Sequence, residues 1–323
     1  MTLSEEKLLG LVAGFVCGDA LGAPFVATKS GHIQQLMDGR VDGYLADPVV
    51  FPEKPEKNFP SGVGTMASQE FCAALAGRVG ESLGQEPLAY AATQLKDLTD
   101  DFQEPRETGA PWGALRGPGR PLRRALERWR EEFPWMTADH FARDEQSDGA
   151  GPCARAVACV VTGDDPIQAA RLTHLREAPL VAAWTIAEAI RKLGAADNPK
   201  KIDAVAFAQE LLAGAREQEN ILREREVGEM WKELEWGYPP RRFSTCLEAL
   251  VPAAREAEDA IAEKTLLAAA ADFDATQKFS HVQHGFAAML VPWVLYRALT
   301  AASPVPAVED AVNRGGETAL AAA

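Results

Sequence analysis

Polar side chains that could take part in catalysis fall into a few short segments of this chain. Asp19 lies in Gly18-Asp19-Ala20-Leu21-Gly22, and Thr65 and Ser68 follow a glycine-containing stretch. Asp148 precedes a Gly-x-Gly loop, and Glu317 follows a Gly-Gly pair near the C-terminus. Carboxylate and hydroxyl oxygens are the ligands that a hard divalent cation requires, and carboxylates can also move protons. The sequence therefore contains candidate groups for metal-assisted or acid–base chemistry.

The loop formed by Gly149 and Gly151 leads into Pro152, Cys153 and Arg155. Glycines permit close backbone approach to a ligand, and a helix N-terminus favours phosphate oxygens. Pro152 suits a first-turn position, but it removes an N–H that could have bound phosphate. A thiol at such a position tends to have a lowered pKa, so Cys153 is also a candidate nucleophile, although no partner base is evident.

Composition limits the classes of function. The chain has 323 residues, of which 47% are hydrophobic, so a sizeable core is expected. A net charge of −14 argues against a nucleic-acid groove, which needs a positive field. Five scattered cysteines without zinc-ligand spacing indicate a reduced, cytoplasmic protein. The apolar run 8–26 follows two glutamates and contains Asp19, which is unlike a signal peptide, and we predict no membrane span.

The elements that must position these groups are helices, because apolar residues recur at helical spacing and no strand alternation is evident. Ser4 is a predicted N-cap for the first helix, and Pro121 a first-turn residue. Further helices are predicted around Phe71–Val79 and over residues 122–133, 180–193, 204–219, 257–271 and 285–298. Proline- and glycine-rich loops are predicted over 47–64, 104–119 and 237–242. We therefore predict one compact all-α domain spanning residues 1–323.

Five segments, in this order along the chain, resemble the ADP-ribosylglycohydrolase family, which includes the dinitrogenase-reductase-activating glycohydrolase. The sharpest is Ala311-Val312-Asn313-Arg314-Gly315-Gly316-Glu317-Thr318-Ala319, which is similar to the family's A-V-N-L-G-G-D-T-D. The others are Gly10–Pro24, Gly64–Gln69, Asp148–Arg155 and the pair Thr173-His174.

The resemblance implies an all-α fold and an ADP-ribose cleft. Glu317 and Asp19 are the catalytic candidates within the segments that resemble the family, and Asp148, just ahead of the Gly149 loop, is a third that could serve a rebuilt site. Ligand contacts are implied for Thr65, Ser68, Gly149, Gly151, Cys153, Arg155 and His174. Structural roles remain open for several of them: Asp19 could bond backbone donors at a helix end, Thr65 could cap a helix, and His174 could be a buried structural histidine.

The chain departs from the family where the family binds magnesium. Its metal aspartates are replaced by Met66, Ala67 and Ala319, and Val26 stands where a glutamate helps to activate water. A thioether and methyl groups offer no ligand to a hard ion. We therefore expect no cofactor here, although the family uses magnesium.

Three functional hypotheses follow. The first is a pseudoenzyme that binds a nucleotide-like ligand, such as ADP-ribose, or a protein partner. The second is a repurposed, metal-independent enzyme acting on a ribosyl or other small molecule through Asp19, Ser68, Asp148, Cys153, His174 and Glu317. The third is an active hydrolase with ligands from elsewhere. The family continues with a further helix after this motif, so the resemblance also implies a missing last helix, either by truncation or because the loop no longer needs it.

Overall fold

The computed structural model describes residues 3–45, 62–84, 86–100, 116, 118–131, 147–233, 242–273 and 279–323, and these are helical nearly throughout. The all-α prediction is confirmed. Contacts divide the chain into two compact units. The terminal unit comprises Ser4–Met136 with Ser303–Ala323, and the central unit comprises Thr137–Ala302 with Met1–Leu3. We describe each unit separately, and the single-domain prediction stays a prediction.

The terminal unit is built from both ends of the chain. Its helices are α1 (Glu5–Gly22), α2 (Ser30–Leu36), α3 (Met66–Ser82), α4 (Pro87–Asp100), α5 (Arg120–Glu131), α15 (Pro304–Arg314) and α16 (Thr318–Ala322). Two short strands, β1 (Thr28–Lys29) and β2 (Gly315–Gly316), pair antiparallel. Hydrophobic patterning did not predict these strands, because two residues are too few to show alternation.

Helix α1 begins as predicted, since the Ser4 side chain accepts a hydrogen bond from the backbone N–H of Lys7. Its buried residues lie in the C-terminal half, where Phe15 stacks on Phe71 of α3 with ring centroids 4.7 Å apart. Contrary to expectation, the stretch Glu5–Phe25 is long and apolar enough to cross a membrane by length and composition alone. Nearly half of it is buried within the protein, as in a core helix.

Small residues let α1 and α16 approach closely. A Cβ at Gly18 would overlap the carbonyl oxygen of Ala322, and one at Gly22 would overlap that of Thr318. The hydroxyl of Thr318 also donates to the carbonyl of Gly22 at 2.7 Å. The two helices therefore contact each other backbone to backbone.

The central unit follows the predicted helices closely. Its members are α6 (Pro152–Thr162), α7 (Pro166–Arg171), α8 (Glu177–Ala195), α9 (Ala204–Glu224), α10 (Glu226–Glu233), α11 (Phe243–Glu248), α12 (Leu250–Ala253), α13 (Asp259–Phe273) and α14 (Ala287–Thr300). The helices predicted over 180–193, 204–219, 257–271 and 285–298 correspond to α8, α9, α13 and α14. Most residues of the predicted loops lie outside the described residues.

Two buried carboxylates tie α8, α9 and α11 together. Glu177 accepts two hydrogen bonds from Arg223, at 2.7 and 3.0 Å. Burial raises the pKa of Glu177 to about 7, and the bonded Arg223 opposes that rise. Glu219 accepts from both the backbone N–H and the hydroxyl of Ser244, at 2.6 and 2.7 Å, and so caps α11 from within α9.

We expect Gly18→Ala to destabilise the terminal unit by about 1–3 kcal/mol, because the added methyl group must displace the backbone of α16. The free energy of unfolding, measured by urea denaturation, tests this. Gly31→Ala in α2 is the control, since a Cβ there meets nothing within 4 Å. It should be neutral or stabilising, by up to about 1 kcal/mol, because alanine is the better helix former. Equal effects of the two substitutions would contradict the close contact.

Candidate functional site

Asp19 joins α1 to the first turn of α3. Its side chain is fully buried, and Oδ2 accepts from the backbone N–H of Thr65 at 2.7 Å and of Ser68 at 3.0 Å. The hydroxyls of Thr65 and Ser68 also donate to Asp19, at 2.7 and 2.6 Å. Three predicted site residues therefore lie together, and their polar groups bond to one another.

This arrangement is an N-cap supplied by another helix. The first backbone N–H groups of a helix lack partners within it, and a carboxylate beside them also interacts favourably with the helix dipole. Thr65 contributes to the cap as well, because its hydroxyl accepts from the N–H of Ala67 at 3.1 Å. Gly64 must be glycine here, since a Cβ would lie 2.6 Å from Oδ2 of Asp19.

The residues that replace the expected aspartates are part of the packing. The Met66 sulfur accepts a hydrogen bond from the backbone N–H of Gly119 at 3.1 Å. One turn along α3, Gln69 accepts from the N–H of Arg116 at 2.8 Å. Ala67 is buried. The start of α3 thus holds Arg116 and Gly119 through Gln69 and Met66, and an aspartate at position 66 would not supply the thioether acceptor.

The C-terminal motif is also held by structural contacts. The side chain of Asn313 accepts from the N–H of Val41 at 2.8 Å and donates to the carbonyls of Val41 and Glu309, at 2.8 and 2.7 Å. Gly315 has a φ of +76°, and a Cβ there would overlap the carbonyl of Thr28 in β1. The most family-like residues of the motif therefore fix the strand pair and α15.

Glu317 and Ala319 occupy the carboxylate positions of that motif. Glu317 is half-buried and precedes α16, and its backbone carbonyl accepts from Ala321 at 2.9 Å. Ala319 is buried in α16. Glu317 is therefore the one carboxylate at these two positions.

A magnesium site of the expected kind does not fit these residues. Magnesium needs near-octahedral oxygen ligands, normally including carboxylates. Both oxygens of Asp19 accept hydrogen bonds from Thr65 and Ser68, and the positions beside them carry a thioether and methyl groups. Among the residues that the structure describes, His, Cys, Asp and Glu side chains form no group of three or more that could hold a metal ion.

In the central unit, the predicted glycine loop packs against the segment before α14. Gly149 pairs antiparallel with Phe286, Ala150 donates to the carbonyl of Gly285 at 2.8 Å, and Ala287 donates to that of Asp148 at 2.8 Å. The sequence did not reveal this pairing, because a single bridge has no periodicity. Its signal in the sequence is Gly285, which lies before α14 and not, as the spacing predicts, within that helix.

The thiol of Cys153 does not have the reactivity that its position suggested. Cys153 lies in the first turn of α6, as predicted, but it is buried. Burial raises the pKa of Cys153 to about 12, and the charge of Arg155 lowers it only in part. The expectation of a lowered thiol pKa is therefore wrong: desolvation of the thiolate outweighs the helix N-terminus.

The guanidinium of Arg155 is directed into the protein. It is fully buried and donates to the carbonyls of Ala169 and Ala170, at 2.9 and 3.5 Å, and to the hydroxyl of Thr173. Those carbonyls belong to the last turn of α7, where C=O groups have no hydrogen-bond donor within the helix itself. Arg155 thus caps the C-terminus of α7, and its role as a ligand contact stays a prediction.

His174 continues this chain of hydrogen bonds. The Thr173 hydroxyl, which accepts from Arg155, lies 2.8 Å from Nδ1 of His174, and the tautomer of the ring decides which of the two donates. The other ring nitrogen, Nε2, faces Gly149: a Cβ there would lie 3.4 Å away. Burial, and secondarily the charge of Arg155, lower the pKa of His174 to about 3.

Arg176, which the sequence reading missed, lies beside Asp148. Its NH1 group donates to Oδ2 of Asp148 at 2.8 Å, and the two side chains are 29% and 9% exposed. Gly151 precedes α6 directly. The central unit therefore gathers Asp148, Gly149 and His174, with Arg176 as a partly exposed cation. An arginine isolated in sequence carries no motif that would have identified it.

Comparisons with known proteins identify the family of this chain. A family model described as ADP-ribosylglycohydrolase matches residues 2–323. No curated protein matches the chain. Among solved structures, one described as "ADP-ribosylglycohydrolase-related protein complex" is 19% identical, with a TM-score of 0.47, and the match covers 98% of this chain and 83% of that one.

We expect Asp19→Asn to lower the free energy of unfolding by about 3 kcal/mol, because an amide nitrogen would face hydrogen-bond donors in a buried position. Urea denaturation measures this effect. Asp203→Asn is the control: Asp203 caps α9 by accepting from Val205 and Ala206 at an exposed site, where asparagine is an equally good cap. Comparable losses in the two variants would contradict the buried-cap assignment.

The stability of the protein should also depend on His174 at acidic pH. Its pKa is lower in the folded than in the unfolded chain, so the unfolded chain binds more protons between about pH 6.5 and pH 3. The free energy of unfolding therefore falls as the pH decreases through this range. His174→Asn, whose amide can both donate to and accept from Thr173, should reduce that slope by up to about 1.4 kcal/mol per pH unit. An unchanged slope would show that His174 is protonated in the folded protein.

Proposed function

Because the chain belongs to the ADP-ribosylglycohydrolase family, we propose that it is a member that has lost magnesium-dependent hydrolysis and binds a nucleotide-like ligand. The observation that carries the proposal is the role of Met66 and Ala67, which stand where the family has metal-binding aspartates. Met66 holds Gly119 through its sulfur, and Ala67 is buried with its N–H bonded to the Thr65 hydroxyl. Both side chains are part of the packing, so aspartates at positions 66 and 67 would displace existing contacts.

Hydrolysis in this family depends on ions that polarise the ribose and position a water. Here the oxygens of Asp19, Thr65 and Ser68 are satisfied by one another. Glu317 alone cannot supply a coordination shell for a hard ion. The residues thus favour a protein that no longer carries out the family's reaction.

Binding of an anionic ligand is supported by the central unit. Arg176 presents a guanidinium beside the glycine loop, fixed by its ion pair with Asp148. A guanidinium binds phosphate oxygens in a planar, two-pronged geometry without a metal ion. An ADP-ribose-like diphosphate is therefore the ligand class that we propose. A protein partner is the other outcome consistent with loss of hydrolysis.

The alternative of a repurposed enzyme draws less support from its candidate groups. The Cys153 thiol, with a pKa of about 12, and the His174 ring, with a pKa of about 3, are poorly suited to proton transfer near neutral pH. Ser68 donates its hydroxyl to Asp19.

Calorimetry with ADP-ribose tests the proposal. We expect binding of equal affinity with magnesium and with EDTA, and no release of ADP-ribose from ADP-ribosylated peptides. Arg176→Gln should weaken binding about tenfold or more, and Arg176→Lys less, because lysine keeps the charge but not the planar geometry. EDTA-sensitive turnover that is lost in Glu317→Gln would overturn the proposal. Unaltered binding by Arg176→Gln would exclude the central unit as the binding site.

A further inference from the structure

A short segment that leads from the end of α7 into α8 is fixed by contacts from neighbouring helices. It comprises residues 173–177, and we call it the α7–α8 segment. The hydroxyl of Thr173 accepts a hydrogen bond from Arg155 of α6. The backbone carbonyl of Leu175 accepts from the indole N–H of Trp231 in α10 at 3.0 Å. The position of this segment is therefore determined by helices that are distant in sequence.

The firmest of these contacts is made by Glu177, the first residue of α8. Its two carboxylate oxygens accept from Arg223 at 2.7 and 3.0 Å. The carboxylate is fully buried, and the Arg223 side chain is 9% exposed. Charge-assisted bonds in pairs fix geometry more closely than single neutral bonds. Because Arg223 lies in the last turn of α9, the pair locks the start of α8 to the end of α9.

Arg176 directly precedes Glu177 and is the N-cap residue of α8. Consecutive Cα atoms are only about 3.8 Å apart, so the backbone of Arg176 cannot shift unless Glu177 moves with it. The guanidinium of Arg176 pairs with Asp148 beside the glycine loop. A guanidinium must be held in a defined position to bind phosphate oxygens through two bonds. Glu177 thus fixes the backbone from which Arg176 extends.

We propose that Glu177 is a positioning residue for Arg176, and that the charge of its carboxylate regulates binding of an anionic ligand beside the glycine loop. This inference rests on the proposed function, in which Arg176 binds the diphosphate. While Glu177 is ionised, Arg223 holds the first turn of α8 by two charge-assisted bonds. When Glu177 takes up a proton, one oxygen becomes a donor, and a guanidinium has no acceptor for it. The pair is then reduced to a single bond, the start of α8 loosens, and the affinity of Arg176 for the ligand falls.

The charge of Glu177 changes close to neutral pH. Burial raises the pKa of Glu177 to about 7, the hydrogen bonds from Arg223 lower it, and the charge of Glu219 raises it. Among the residues that the structure describes, the charged groups that act on Glu177 are Arg223 and Glu219 of α9 and Arg242 before α11, whose charge lowers the pKa. His174 in the same segment stays neutral in this range, because burial lowers its pKa to about 3.

The direction of the pH effect separates positioning from simple attraction of charge. Neutralising Glu177 makes its surroundings more positive, which by itself strengthens the binding of an anion as the pH falls. Positioning of Arg176 predicts the opposite result, since the fixed geometry is lost when Glu177 takes up a proton. The affinity should therefore fall as the pH decreases through about 7.

Calorimetry with ADP-ribose at pH 6 and pH 8 tests the proposal in wild type and in Glu177→Gln, which mimics the protonated carboxyl group. The variant should fold, because the raised pKa shows that the folded protein accepts a neutral side chain there. With a coupling of about one pKa unit, wild type binds about fivefold more weakly at pH 6 than at pH 8. The variant should bind about tenfold more weakly than wild type at pH 8, but only about twofold more weakly at pH 6.

Glu248→Gln is the matched control, because it removes another ion pair of α9, the exposed one with Arg216. Exposed pairs contribute little, so binding and its pH dependence should be unchanged. An affinity that rises from pH 8 to pH 6, or that Glu177→Gln leaves unchanged at pH 8, would overturn the positioning role.

Hydrogen exchange of residues 173–177, measured by mass spectrometry without ligand, separates this inference from the proposed function. After correction for the intrinsic exchange rate, exchange should be faster in Glu177→Gln than in wild type at pH 8, and the two should converge at pH 6. That pattern in a protein that does not bind ADP-ribose would overturn the proposed function and leave the positioning of Arg176 standing. Equal exchange in the two proteins at pH 8 would overturn the positioning, whether or not ADP-ribose binds.

Discussion

The carboxylate of Asp19 is the interaction on which the terminal unit depends. It fixes the start of α3 against α1 by accepting from two backbone N–H groups and two hydroxyls. Once α3 is held there, Met66 bonds to Gly119 and Gln69 bonds to Arg116. A single buried charge therefore decides the placement of the segment in which the family has its metal ligands. Its four donors offset the cost of removing that charge from water.

The same solution recurs in the central unit, where charged side chains cap helix ends that are distant in sequence. Arg155 satisfies carbonyls in the last turn of α7, and Glu219 satisfies the first turn of α11. Helix ends leave unpaired backbone groups, and burying them without partners is costly. Residues that a sequence reading assigns to chemistry can thus be retained because the fold needs them.

The sequence predicted most of the helices and the family. Ser4, as the cap of α1, and the apolar stretch of α8 were readable because local pattern determines them. The environment of Cys153 was not readable, because its burial depends on residues distant in sequence. The direction of the Arg155 side chain was not readable either, because its hydrogen-bond partners lie in and after another helix. Met66, Ala67 and Ala319 were visible in the sequence as departures from the family pattern, but the bond from Gly119 to Met66 joins residues distant in sequence and was not readable.

The composition of the terminal unit from both chain ends has a consequence for biosynthesis. β1 pairs with β2, and Asn313 bonds to Val41, so residues nearly the whole chain apart must meet. The central unit is almost continuous in sequence and can fold during translation, since domains fold as their residues emerge from the ribosome. The N-terminal helices must wait for α15 and α16. During that interval the surface of α1 that α16 covers is exposed, and the pairing of residues so distant in sequence raises the entropic cost of closing the terminal unit.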